Sequence, residues 1–244
     1  MKKFIRKLCA KCLWHINRPL NETTISDKVF CIGLHKTGTT TLEAFFRQYG
    51  FKCTHSTAWA TNDSTLDSFD FFSDGGSHFD GLNEFDFEKL YYQFKDAKFI
   101  LQTRDTNKWL ESKMIHAGWR HDTRLEKDDL TKITHDEWRY KSRLTVQKFI
   151  EHKFNYEEKV LSFFNKNNPD RLLCLDITDR KTQAAEVEKL KRFCGLRSVT
   201  TVRLPHSNKR AKSAVISKEM KESIRTVVRK NERQASRSAK PSKV

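Results

Sequence analysis

The segment Lys28–Leu42, KVFCIGLHKTGTTTL, constrains the fold more than any other part of the chain. Lys28–Leu34 is a short, mostly apolar run of the kind that forms a buried strand. Thr39–Tyr49 has helical spacing, and His35, Lys36, Thr37 and Gly38 lie between the two. A strand that feeds a helix through a tight turn brings backbone N–H groups and a helix N-terminus to one point, where a phosphate binds. Gly38 lets the main chain turn and approach an anion closely. Lys36 supplies a mobile positive charge, and the hydroxyls of Thr37, Thr39 and Thr40 supply further donors.

The spacing departs from the nucleotide-triphosphatase pattern G-x-x-x-x-G-K-[ST]. Lys36 precedes Gly38 instead of following it, and no hydroxyl stands after a Gly-Lys pair to ligate magnesium. This disfavours an ATPase or GTPase. A P-loop kinase or nucleotide hydrolase is the alternative reading, and a non-catalytic basic binding protein is another.

Three further segments read as buried strands: Phe51–His55, Ala97–Arg104 and Arg171–Thr178. Helical patterns cover Phe87–Phe94, Thr106–Gly118, Thr134–Asn165 and Gln183–Cys194, with a capping box at Thr134-x-x-Glu137. Strands alternating with helices predict an α/β fold, a P-loop-like three-layer α/β/α arrangement around a mostly parallel central sheet. Thr57–Gly81, rich in Ser, Asp and Gly, reads as one long loop, and loops of that length are usually functional. The expected organisation is a basic N-terminal segment 1–27, the α/β domain 28–211, and a basic appendage 212–244. That appendage holds one helix, Ser217–Asn231, and a disordered tail.

A net charge of +16 implies attraction to polyanions, from nucleic acid to anionic lipid, glycans or a charged nucleotide. From His206 onward there are 12 Lys/Arg against 3 Asp/Glu, so part of the excess belongs to the tail. That tail lacks regularly interleaved aromatics, so no specific nucleic-acid partner is expected. The six cysteines form no disulfide framework, which suits a reducing compartment and a cytoplasmic location. Cys9, Cys12 and His15 lack a second ligand pair, so no metal site is expected there. No apolar stretch approaches the ~20 residues needed to span a bilayer, and Lys7 and Lys11 interrupt a signal-peptide core. Phe4, Ile5, Leu8, Cys12 and Ile16 fall near one helical face beside Lys and Arg, which offers a peripheral contact with an anionic membrane. A helix packed on the domain, or one that is simply frayed, is the competing interpretation.

A second feature completes a pattern. The strand ending at Arg104 is followed by Ser112 eight residues later on a helix, with Trp109 between them as a packing residue. With Lys36-Thr37-Gly38-Thr39-Thr40, this resembles the PAPS-dependent sulfotransferase family. The resemblance implies that the loop holds the 5′-phosphosulfate of PAPS and that Arg104 and Ser112 bind its 3′-phosphate, with PAP as product and no metal required. Phe79–Leu90 also resembles the family where relatives carry an acidic catalytic residue, and it nominates Glu84 as base, with Asp80 and His78 as alternatives. Lys36 is the implied stabiliser of the leaving oxygen. His55 ends the second strand and is a candidate acceptor contact or a packed side chain. His35 stands where relatives often have Pro, and Glu84-Phe85-Asp86 stands where they have an acidic–aromatic–Pro triplet. The implied reaction is sulfuryl transfer to a hydroxyl of a glycan or another hydroxylated acceptor.

Overall fold

The computed structural model describes residues 28–60, 63–75, 86–116, 119, 135–196, 204 and 216–238. The N-terminal face of Phe4 to Ile16 with Cys9, Cys12 and His15, the Thr134 cap and the tail beyond 238 lie outside the described residues. The strands are β1 (Val29–Cys31), β2 (Cys53–His55), β3 (Phe71–Ser73), β4 (Lys98–Gln102) and β5 (Leu172–Leu175). The helices are α1 (Thr39–Gln48), α2 (Asp63–Leu66), α3 (Phe87–Gln93), α4 (Thr106–His116), α5 (His135–Asn167), α6 (Gln183–Cys194) and α7 (Lys218–Ser238). The chain divides into two compact units. One is Met1–Thr103 with Val160–Lys209, and the other is Arg104–Lys159 with Arg210–Val244.

In the first unit the five strands form one sheet in the order β2-β3-β1-β4-β5, and every pair is parallel. The pleat sends alternate residues of β1 to opposite faces. Val29 and Cys31 join Leu42, Phe45 and Phe46 of α1 and Val187, Leu190 and Cys194 of α6 in one apolar layer. Phe30 faces the other way, stacking 4.7 Å from Phe72 and 5.6 Å from Phe99. Phe99 then meets Phe164 in the last turns of α5 at 5.1 Å, and Tyr91 of α3 meets the same ring at 5.5 Å. Each such buried side chain contributes roughly 1.5–3 kcal/mol, so the Phe-rich composition supplies the core. This is the three-layer α/β/α arrangement expected from the alternation of strands and helices.

The expected loop Thr57–Gly81 is not a single loop. It contains a 3-10 turn at Ala58–Ala60, α2, and the strand β3, whose three residues are all buried. β3 lies between β1 and β2 and pairs with both. Three residues are too few to show a period, and it is pairing on both edges that makes them a strand.

The strand expected from Arg171 begins at Leu172, because Arg171 has another task. Its guanidinium donates to the carbonyls of Ala97, Tyr91 and Phe94 at 3.0, 3.2 and 2.6 Å and lies 4.0 Å over the Tyr91 ring. It thereby ties the end of α3 and the approach to β4 to the start of β5.

The second unit packs α4, the N-terminal part of α5 and α7. Trp109, Leu110 and Met114 of α4, Trp138, Val146 and Phe149 of α5, and Met220, Ile224 and Val228 of α7 are all buried. Trp109 meets Phe149 edge-on at 6.2 Å, which agrees with its reading as a packing residue. α7 starts where Ser217 Oγ accepts the Met220 N–H at 3.0 Å, an N-cap bond. It runs past the expected end at Asn231 as far as Ser238. Met220, Ile224 and Val228 recur every four residues and pin one face of it.

Candidate functional site

The site is built on the carboxyl ends of β1, β2 and β3. β1 runs out at Cys31, and Gly33 is clamped by a buried amide. The Gly33 N–H donates to Gln102 Oε1 at 3.0 Å, while Gln102 Nε2 donates to the Gly33 carbonyl at 3.3 Å. A Cβ on Gly33 would fall 2.2 Å from the Gln102 carbonyl oxygen, so only glycine fits. The chain then turns through Leu34–Gly38. Thr37 closes this turn by donating its hydroxyl to the Leu34 carbonyl, and it is buried. The structure thus gives the Thr37 hydroxyl to the loop's own backbone.

Lys36 has φ 68° and Gly38 has φ 100°. A left-handed lysine is strained, whereas glycine accepts the conformation readily. Gly38 immediately precedes α1, and no side chain caps that helix. A helix end of this kind concentrates partial positive charge. Lys36, Thr37, Gly38, Thr39 and Thr40, nominated from the sequence, therefore lie together on one turn and the first turn of α1.

The strand that sequence reasoning missed brings the rest. Asp74 follows β3 and accepts from Thr39 Oγ1 at 3.2 Å. The same oxygen lies 3.1 Å from His35 Nδ1, and the other carboxylate oxygen lies 3.6 Å from His55 Nε2. His55 Nε2 also lies 3.3 Å from Thr40 Oγ1, and its Nδ1 lies 2.9 Å from Ser73 Oγ. Burial pushes the Asp74 carboxyl up. The hydrogen bond and charge of His35, the charge of His55 and the Thr39 hydrogen bond outweigh it and hold the group below the ordinary carboxylate range. Asp74 has φ 65°, and among the described residues Lys36 and Asp74 are the non-glycine positions with positive φ. Both belong to this site.

The backbone behind Asp74 is held firmly. Trp59 Nε1 donates to the Ser73 carbonyl at 2.9 Å, and a Cβ on Gly75 would fall 2.2 Å from the Trp59 ring. Asp74, Ser73 and Gln102 were not singled out from the sequence. Their signals were slight: a Phe71-Phe72 pair running into Ser-Asp, and one polar residue closing the apolar run KFILQ.

Arg104 and Ser112 belong to the second unit, and both are half-buried there. Arg104 follows β4 by two residues and Ser112 lies on α4. Between them Asp105 caps α4, its carboxylate accepting the Lys108 N–H at 2.9 Å. Glu84, Asp80 and His78 lie outside the described residues. Among the described residues no group of His, Cys, Asp and Glu is placed to hold a metal ion, and no helix is long and apolar enough to cross a membrane.

A family model described as a sulfotransferase domain matches residues 28–233, most of the 244-residue chain. A comparison with curated proteins returns no match.

Proposed function

The chain belongs to the sulfotransferase domain family, and from that premise we propose that it carries a sulfuryl group from PAPS to a hydroxyl of an acceptor, with glycans the first class to test. Sulfuryl transfer and a transferase activity come with the family. The observation that supports the donor is the turn from Gly33 to Gly38, where a bare main chain, a strained lysine and a helix without a side-chain cap converge.

Bound there, PAPS would supply the sulfuryl group on a phosphate leaving oxygen. Lys36 and the first turn of α1 are suited to hold that phosphate and to stabilise the charge that develops on it. Thr39 and Thr40 stand beside them with hydroxyls already oriented by Asp74 and His55. Thr37 keeps the turn closed. Arg104 and Ser112 are assigned to the 3′-phosphate on sequence resemblance, and the forked guanidinium suits that task. The same resemblance nominates Glu84 for the base, with Asp80 and His78 behind it. The proposed setting is the cytoplasm, with peripheral membrane contact through the N-terminal segment. The buried, reduced thiols of Cys31, Cys53 and Cys194 suit that setting.

Calorimetric titration with PAP tests the donor, and sulfur-labelled PAPS offered with pooled glycan acceptors tests the reaction. Tight PAP binding by the native chain is expected. Unchanged PAP affinity in a Lys36→Ala, Arg104→Ala double variant would refute the donor site.

A further inference from the structure

We propose that His55 takes up the acceptor's proton, that Ser73 fixes its tautomer, and that Asp74 balances the charge it gains. The inference rests on the sulfuryl-transfer reading above and gives the base to His55 in place of the Glu84 that the resemblance nominates.

Placement comes first. The order β2-β3-β1 puts the ends of three adjacent strands side by side. His55 ends β2, Ser73 ends β3, and β1 leads into the turn that carries Lys36. The imidazole is therefore beside the first turn of α1, its Nε2 3.3 Å from Thr40 Oγ1. Its side chain is 25% exposed, so a hydroxyl from solution can reach it, whereas His35 beside it is only 7% exposed.

The tautomer follows from the hydrogen bonds. Ser73 Oγ donates to the Thr54 carbonyl at 3.5 Å, which leaves its lone pair to accept a hydrogen bond from the N–H of His55 Nδ1 at 2.9 Å. With the proton on Nδ1, Nε2 carries the basic lone pair. That nitrogen points towards Thr40 and Asp74, the side on which the phosphate turn lies.

Asp74 is a poor base and a good counter-ion. One of its oxygens is engaged by His35 and Thr39, and the other stands 3.6 Å from the nitrogen that would receive the proton. Its carboxyl is held below the ordinary range, so it stays ionised. An imidazolium formed at His55 finds a negative charge already in place, with no reorganisation needed. The strained φ of 65° at Asp74 is the backbone cost of that placement.

In the step itself the acceptor oxygen forms a bond to sulfur. The bond between sulfur and the phosphate oxygen breaks, its electron pair stays on phosphate, and the hydroxyl proton moves to His55 Nε2.

The test uses the full chain with His55→Gln and Asp74→Asn. Each is assayed for PAP affinity and for label transfer from sulfur-labelled PAPS to desulfated heparin, or to water as inorganic sulfate. His55→Gln should keep PAP affinity within about threefold while transfer falls on the order of 100-fold or more. Asp74→Asn can still accept from Thr39 and His35, so it should keep PAP affinity and lose roughly tenfold in transfer through the missing charge alone. Unchanged transfer in His55→Gln, or a loss matched by an equal loss of PAP affinity, overturns the assignment; failure of the native chain to bind PAP overturns the sulfotransferase reading instead. Nitrogen NMR of the PAP complex gives a check independent of turnover: the His55 proton should sit on Nδ1, and a proton on Nε2 in the neutral ring refutes the proposal.

Discussion

Gln102 holds Gly33 from both sides, accepting its N–H at 3.0 Å and donating to its carbonyl at 3.3 Å. The amide is fully buried, so no water stands ready to replace it. Gln102→Leu should leave two buried backbone groups without partners, each costing about 1–3 kcal/mol. Chemical denaturation should show that loss, and PAP affinity should fall with it because the turn starts at Gly33. Stability equal to the native chain would mean that the clamp is dispensable.

Gly38→Ala addresses the other end of the turn. At φ 100° a Cβ is disfavoured, and it would also meet Ile177 Cγ1 at 3.0 Å. The left-handed conformation alone costs on the order of 1–2 kcal/mol. A lower melting temperature and weaker PAP binding are expected together, with the secondary structure intact by circular dichroism.

Removing the charges proposed for the two phosphates should act on binding, not on folding. A hydrogen bond to a charged group is worth about 1.5–3 kcal/mol, so Lys36→Ala and Arg104→Ala should each weaken PAP by roughly 10- to 100-fold. Lys36→Ala should also lower transfer at saturating donor, since it is assigned to the leaving oxygen. Chelating divalent metals should leave transfer unchanged, and dependence on added magnesium would favour the kinase alternative. Titration calorimetry with PAP measures the affinities, and label transfer from sulfur-labelled PAPS with and without chelator measures the rest.

Asp74 gives the fold a pH dependence of defined sign. Its folded-state carboxyl lies below the ordinary 3.8, so the unfolded chain takes up the proton first as pH falls. The stabilisation is present above 3.8 and is lost as pH drops through the lowered value. Asp74→Asn should flatten that part of an acid-unfolding curve. A curve of unchanged shape would show that the carboxylate contributes nothing there.

The thiols should divide sharply. Burial raises Cys31 and Cys53, and pushes Cys194 up to about 12. Cys174 is exposed on the edge strand β5. Iodoacetamide at pH 8 should label Cys174 and spare Cys31, Cys53 and Cys194 until denaturant is added, as mass spectrometry would reveal.

Much of the fold was legible because its signals are local. Lys28–Leu34, the turn and Thr39–Tyr49 each show their own pattern, and β4 with α4 repeats the scheme. β3 was not legible, since Phe71-Phe72-Ser73 becomes a strand only by pairing with β1 and β2. The losses at the site follow from the same cause. Lys36, Gly38 and Thr40 lie on one continuous segment and could be grouped by eye. The meeting of His35, His55 and Asp74 depends on β3 lying between β1 and β2, an order that no single segment encodes. α7 outran its expected length because its apolar stripe is sparse and its end is polar.

The positive φ angles at Lys36 and Asp74 set selection for robustness against selection for chemistry. Glycine would relieve the backbone at both positions, and at both it would delete the charge. A library screened for heat resistance alone should therefore drift towards Lys36→Gly, yielding sturdier chains that no longer turn over, whereas Asp74 also holds Thr39 and His35, contacts that glycine would lose. Lineages that keep a lysine at position 36 reveal which of the two pressures has ruled.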